Sequence, residues 1–312
     1  MRGRVRLFQR QIGLLSITCF SYGQTNEYVY KNPKDSTFNC YLKIYPETKN
    51  IRGLVVRDYT NLPDTARQSP YQFQQLCSQA GLMTLYTNTS NSFPELFESD
   101  LTMKRLDDII LEVVKNHNIP ADNIFIGGIS ASGARALRYA EYCAQGKSTI
   151  NINGAFAVDS PLDLARFYTS IAAHRQNLKA GMLEEADFMP PVFHKLFGGG
   201  PDENYEAYKS GSVFTHSDSL GGNAVYLKST AIILFHEPDI DWWLEERGAS
   251  YYDINSYDLA AFTALLRQLG NENVELITTT GKGFDRAGDR RCHSWTIVDE
   301  EYLVNWIKGR LH

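Results

Sequence analysis

Apolar and polar positions along this chain follow two rhythms. Phe38, Cys40, Leu42 and Ile44 alternate with Asn39, Tyr41, Lys43 and Tyr45, after Tyr28-Val29-Tyr30 and a Lys-Asn-Pro-Lys-Asp turn. A period of two broken by such a turn predicts an antiparallel hairpin over 28–45, at a sheet edge. Later apolar runs are short and continuous: Gly53–Val56, Leu82–Tyr86, Asn123–Ile126, Gly154–Val158, Thr230–Phe235 and Val274–Thr279. Runs of this length bounded by turn residues predict strands buried on both faces. Helical spacing fills the gaps over Pro70–Ala80, Leu101–Asn116, Ala134–Cys143, Ser256–Leu269 and Glu300–Lys308. In the second of these, Leu106, Ile109, Ile110 and Val113 oppose Lys104, Asp107, Asp108, Glu112 and Lys115, and Pro120 bars continuation. Strands alternating with helices argue an α/β fold with a mostly parallel central sheet and helices on both faces.

Residues 164–228 break the rhythm with helical pieces, Pro190-Pro191, Gly198-Gly199-Gly200 and several aromatics. A long insertion in a compact domain is usually functional, so this segment is read as a cap over the site. Its Tyr168, Phe188, Phe193, Phe197, Tyr205, Tyr208 and Phe214 either line a substrate cleft or form the cap's own small core.

At 312 residues and 43% hydrophobic composition, the chain suits one large α/β domain with an insertion, or two smaller ones. The single domain is preferred, over 24–312. Residues 1–23 read as a signal peptide: Arg2, Arg4, Arg6 and Arg10 precede a mostly apolar stretch from Ile12 to Phe20, and Ser21-Tyr22-Gly23 supplies small residues for cleavage. The expected location is therefore periplasmic or secreted. The mature chain would carry 27 basic and 36 acidic residues, a net charge of −9, which argues against nucleic acid or an anionic membrane as partner. No later segment reaches the roughly 18 apolar residues of a membrane span. Cys40, Cys77, Cys143 and Cys292 would remain, either paired by export or as free buried thiols.

The run Asn123 to Leu137, NIFIGGISASGARAL, reads as a buried strand, a very tight turn and the start of a helix. A serine at the apex of such a turn needs small neighbours two places away, and Gly128, Ser132 and Gly133 meet that need. The segment resembles the nucleophile elbow of the α/β-hydrolase family, with Ser132 where the final glycine usually stands. The order of elements over most of residues 38–310 is similar to that family too. The Pro-containing loop after the Thr230–Phe235 run and the late Cys292-His293-Ser294-Trp295 are similar to its secreted esterase and prolyl-oligopeptidase-like branches.

The resemblance implies a serine hydrolase whose nucleophile, acid and histidine follow one another along the chain, each past the carboxyl end of a strand. Ser130 is then the nucleophile and His293 its base, chosen among seven histidines by position after the last strand. His236 directly follows a strand but comes too early in that order. For the acid, Asp239 is favoured by its offset from the strand end, with Asp241 as alternative and Asp159, one strand earlier, as outsider. The Ala131 backbone N–H is the expected first oxyanion donor. The family's His-Gly pair after the third strand is absent from Arg57-Asp58-Tyr59-Thr60-Asn61-Leu62-Pro63, and the Tyr59 or Thr60 N–H is the expected second donor.

Other constellations point elsewhere weakly. Gly281-Lys282-Gly283 lacks phosphate-loop spacing, His236-Glu237 has no second histidine, and there is no paired Cys-x-x-Cys, so neither cofactor nor metal is expected. Arg286, Arg290 and Arg291 either recognise a substrate carboxylate or form a solvated run. The favoured substrate is a small-molecule or oligosaccharide carboxylic ester. A short peptide, or binding without catalysis on the same fold, are the alternatives.

Overall fold

The computed structural model describes residues 25–32, 34–48, 50–59, 62, 72–90, 97, 100–285 and 287–312. The expected signal peptide, Thr60 and Arg286 lie outside them. The described strands are β1 (Asn26–Asn32), β2 (Asp35–Ile44), β3 (Gly53–Tyr59), β4 (Leu82–Asn88), β5 (Ile124–Ile129), β6 (Ile152–Val158), β7 (Ala231–His236) and β8 (Val274–Thr278). They form one sheet in the order β1-β2-β4-β3-β5-β6-β7-β8. β1 and β2 pair antiparallel as the edge hairpin, β2 meets β4 antiparallel, and the rest pair parallel.

The continuous apolar runs are explained by burial on both faces. Leu54, Val56, Ile124, Ile126, Ala155, Ala157, Ile232 and Leu234 pack on one face. Their neighbours Val55, Phe125, Phe156, Val158, Ile233 and Phe235 pack on the other. Helices α2 (Asp100–His117) and α3 (Ala131–Ala144) and the later Ser256–Gln268 helix cover the first face. Helix α1 (Gln72–Gln79) and the closing Glu300–Lys308 helix cover the second. Each fully buried large apolar side chain is worth about 1.5–3 kcal/mol, so this double-sided core fixes the strand register that positions the site.

β3 runs three residues further than its apolar run predicts. Arg57, Asp58 and Tyr59 belong to the strand, and the two charges are buried. Asp58 accepts hydrogen bonds from Thr87 and Thr89 and pairs with Arg135 of α3 at 3.2 Å. The Arg57 guanidinium sits 3.9 Å from the Trp295 ring centre. Charges in a strand break a sequence pattern, but they are tolerated when partners on other elements satisfy them.

Between β6 and β7 the chain forms α4 (Leu164–Ala173), α5 (Ala180–Phe197) and α6 (Tyr205–Gly211). After β7 comes the one-turn α7 (Ile240–Trp242), followed by a wider turn over Trp243–Arg247. The Ser256–Gln268 and Glu300–Lys308 helices are α8 and α9. Phe193, Phe197 and Tyr208 pack on one another and on Trp243 and Ile254, so the insertion and the segment after β7 share one apolar cluster. The four cysteines of the described chain are free and buried. Among the described residues, no helix is long and apolar enough to cross a membrane.

Candidate active site

Ser130 is the hinge between β5 and α3, with φ 56° and ψ −132°. A non-glycine residue rarely adopts such a backbone, and it persists only where the surroundings impose it. Here the Ser130 N–H donates to the Val158 carbonyl at 2.9 Å, and its carbonyl accepts from the Gly133 and Ala134 N–H groups at 2.9 and 3.1 Å. Two glycines let α3 descend this close to the sheet. A Cβ on Gly128 would stand 2.7 Å from the Ser132 carbonyl carbon, and one on Gly133 would stand 2.1 Å from Ser160 Oγ. The bare Cα at 128 leaves room for the Ser132 side chain, which accounts for its tolerance where the family pattern has glycine.

His293 lies in the loop between β8 and α9, and its Nδ1 is 2.6 Å from Asp159 Oδ2. Asp159 immediately follows β6 and is itself held at φ 44°. Its other oxygen, Oδ1, is 3.0 Å from His236 Nδ1 and accepts from Asn255 Nδ2 at 3.1 Å. The carboxylate beside His293 therefore comes one strand earlier than the resemblance implied.

The favoured acid, Asp239, is engaged elsewhere. It caps α7 by accepting from the Trp242 N–H at 3.2 Å, and its Oδ2 receives Arg290 at 2.8 Å. Asp241 lies exposed on α7. Arg290 also holds the buried Glu237, so this member of the predicted arginine run serves a structural ion-pair network. Glu237, Asp239 and Cys292 come within 4.8 Å of one another, and the cation among them is the Arg290 guanidinium. Cys292 adjoins His293, but burial pushes its thiol up to about 12 despite the nearby Arg290, so it is held as an inert thiol.

Burial disfavours a charged Asp159, yet the His293 and His236 imidazoles outweigh it and hold the carboxyl well below the usual range. His293 shows the reciprocal effect. Burial acts to lower its proton affinity, and the Asp159 carboxylate overrides this, helped by Glu185 and opposed by Arg247, leaving it raised. An ionised Asp159 can only accept, so it fixes the His293 proton on Nδ1 and leaves Nε2 as a base.

Ala131 opens α3 and presents a backbone N–H of the kind that helix geometry leaves without an intrahelical partner. Tyr59 ends β3, but its ring belongs to the small cluster of Leu42, Ile44 and Tyr86, stacked on Tyr86 at 6.1 Å. Its side chain is absent from the cleft lining described next, whereas the expected oxyanion donor is its backbone N–H.

Ser130 and His293 open onto one cleft of about 180 Å³. Its aromatic walls are Phe97, Phe167, Trp242 and Trp243, with Met182 and Met189 from α5. Of the two roles open to the seven aromatics of 164–228, the cleft lining takes none of them. Phe193, Phe197 and Tyr208 form the insertion's core, Phe214 packs on the sheet side, and Phe188 is exposed. Glu185, Arg247 and Arg291 also line the cleft. The Arg247 guanidinium lies 4.9 Å from the Trp242 ring centre and has no carboxylate partner among the described residues. Sequence reasoning missed Trp242 and Arg247, because the segment after β7 has no helical periodicity to place them.

The sheet order, the strained serine after β5 and the histidine after β8 define an α/β-hydrolase fold. No known family model and no curated protein sequence matches the chain. Solved structures do. Acylaminoacyl peptidase of Pyrococcus horikoshii superposes with a TM-score of 0.58 at 16% identity, over 87% of this chain and 39% of the peptidase. A fungal esterase from Rhizomucor miehei gives 0.56 at 14% identity, over 87% and 78% of the two chains. An S-formylglutathione hydrolase from Agrobacterium tumefaciens gives 0.53 at 12% identity, over 94% and 97%. The chain thus spans about two fifths of the peptidase and nearly all of the hydrolase. At these identities the likeness is one of fold.

Proposed function

We propose that this protein is a serine hydrolase that cleaves a carboxylic ester through an acyl-enzyme, with Ser130 as nucleophile, His293 as general base and acid, and Asp159 as the orienting carboxylate. The observation that carries the reading is that the strained Ser130 and a His293 whose Nδ1 is 2.6 Å from a buried carboxylate line one cleft. A serine hydroxyl needs an adjacent base to attack at neutral pH. His293 Nε2 takes the Ser130 proton as Oγ bonds to the ester carbonyl carbon. The tetrahedral oxyanion forms beside the Ala131 N–H. On collapse, the carbon–oxygen bond to the alcohol breaks and His293 returns the proton to it. Water, deprotonated by the same imidazole, then releases the acid and regenerates Ser130.

Esters are preferred over peptides because two of the three likenesses, over 87% and 94% of this chain, are to a fungal esterase and to S-formylglutathione hydrolase. The walls favour an apolar or aromatic acyl group against Trp242 and Trp243, and Arg247 favours a carboxylate on the substrate. Export of the mature chain, suggested by residues 1–23, would bring it to extracellular or periplasmic esters. Turnover of p-nitrophenyl acetate that is lost in Ser130→Ala supports the reading. Turnover that survives the substitution rejects it, and no turnover of any ester by folded protein favours a binding role.

A further inference from the structure

His236 is buried at the end of β7 and is not among the residues that line the cleft. Its Nδ1 is 3.0 Å from Asp159 Oδ1, and its Nε2 is hydrogen-bonded to the Ser256 hydroxyl at the start of α8. Asp159 thus carries two histidines, one on each oxygen. An ionised carboxylate offers only lone pairs, so a proton must sit on Nδ1 of each imidazole. That leaves His236 Nε2 as an acceptor, and the Ser256 O–H is placed to donate to it. The line Ser256, His236, Asp159, His293 is then satisfied in one direction, with every proton pointing toward the carboxylate or along the chain to it.

We infer that His236 is a positioning residue for the proposed triad, resting on that reading. A carboxylate bound on Oδ2 alone can rotate about its Cβ–Cγ bond and swing in its plane. His236 and Asn255 hold Oδ1, so the remaining oxygen is aimed at His293. They also draw on the charge of Asp159 and keep its pull on the His293 proton moderate. Asn255 further anchors the Asp159 carbonyl at 2.9 Å, which supports the left-handed backbone there. Loss of His236 therefore does two things. Asp159 loses orientation, and its undivided charge raises the proton affinity of His293. The groups that face His293 are Asp159, Glu185 and Arg247, and the variants below leave all three in place.

The test uses His236→Leu, which removes the donor, and His236→Asn, whose amide N–H can stand near the place of Nδ1–H. In His236→Leu, kcat for an ester falls about 10-fold or more, in the range typical when the hydrogen-bond partner of a site residue is lost. KM changes little, and the ascending limb of the pH–rate profile moves to higher pH. His236→Asn restores the limb and most of kcat. A merely structural role would lower the fraction of active protein without moving that limb. In wild-type protein, nitrogen NMR of the histidines should find the His236 proton on Nδ1. That measurement also decides the matter should His236→Leu fail to fold. A proton on Nε2 of His236, or a His236→Leu profile that overlays wild type in kcat and pH, overturns the inference. Labelling of wild-type Ser130 by a fluorophosphonate checks the underlying triad separately, since the tautomer is read without turnover.

Discussion

Replacing Asp159 with Asn keeps the side chain's shape and removes its charge. In the native arrangement the His293 Nδ1–H donates to Oδ2 over 2.6 Å, which leaves Nε2 free to accept the Ser130 proton. An amide has one acceptor oxygen, and three donors compete for it: His293, His236 and Asn255. Where the amide NH₂ turns toward His293, the imidazole proton moves to Nε2 and the base is lost. Where the oxygen stays, the imidazolium formed on attack still lacks its counter-charge. Loss of tautomer and charge together costs about 10⁴ in kcat, or roughly 5.5 kcal/mol of transition-state stabilisation. Asp239→Asn serves as the comparison. Its carboxylate is about a third exposed, and Arg290 keeps the buried Glu237 when it goes. Such a pair is worth under ~1 kcal/mol of stability, and kcat should stay within about threefold. The assay is steady-state ester hydrolysis by both variants, with circular dichroism to show that each is folded. An Asp239→Asn loss matching that of Asp159→Asn, or an Asp159→Asn variant within about tenfold of wild type, refutes the assignment of the acid.

Four further outcomes follow from the structure. His293 must be neutral to act as base, so kcat/KM rises with pH through a midpoint above the ordinary imidazole value, since Asp159 outweighs burial. Glu185→Gln removes a negative neighbour and should move that midpoint to lower pH, and an upward move in the pH–rate profile contradicts the placement. Arg247→Gln should lower kcat/KM for an ester bearing a free carboxylate about tenfold, the worth of one charge-assisted hydrogen bond, and spare its neutral methyl-capped counterpart. Glu141 is buried on α3 beside Arg138, and burial pushes its carboxyl up to about 8 against the pull of that arginine. A carboxyl raised in the folded state contributes most below its unfolded value near 4.5, and that contribution is lost as pH rises toward 8. Glu141→Gln should therefore gain on wild type by roughly 3 kcal/mol between pH 5 and pH 8 in urea unfolding, and an unchanged difference refutes this.

Most of the sheet was readable because its parallel strands are buried on both faces, which forces uninterrupted apolar runs such as Ala231–Phe235. The elbow was readable because a strained serine demands small neighbours, and those leave a local trace in Gly128 and Gly133. The place of His293 in the loop after the last strand was readable from the order of elements. The carboxylate that His293 meets was not, because Asp159, Asp239 and Asp241 all sit just past strand ends and look alike locally. What separates them is which partner arrives from far along the chain: His293 reaches Asp159, and Arg290 reaches Asp239. An aspartate directly after a buried strand and ahead of Ser160-Pro161 was the available signal. The end of β3 leaves no trace in the sequence because Arg57 and Asp58 break the apolar run, and their partners, Trp295 and Arg135, lie on other elements. Arg247 and Trp242 reach the cleft through an irregular turn that leaves no periodic pattern.

The most direct test of the central claim is to expose purified protein to a fluorophosphonate probe and map the modified peptide by mass spectrometry, with Ser130→Ala, His293→Ala and Asp159→Asn alongside. Phosphonylation at Ser130, abolished in the first two variants and slowed at least a hundredfold in the third, is the predicted result. Modification at another serine, or equal labelling of Ser130 in all variants that retain it, contradicts the account.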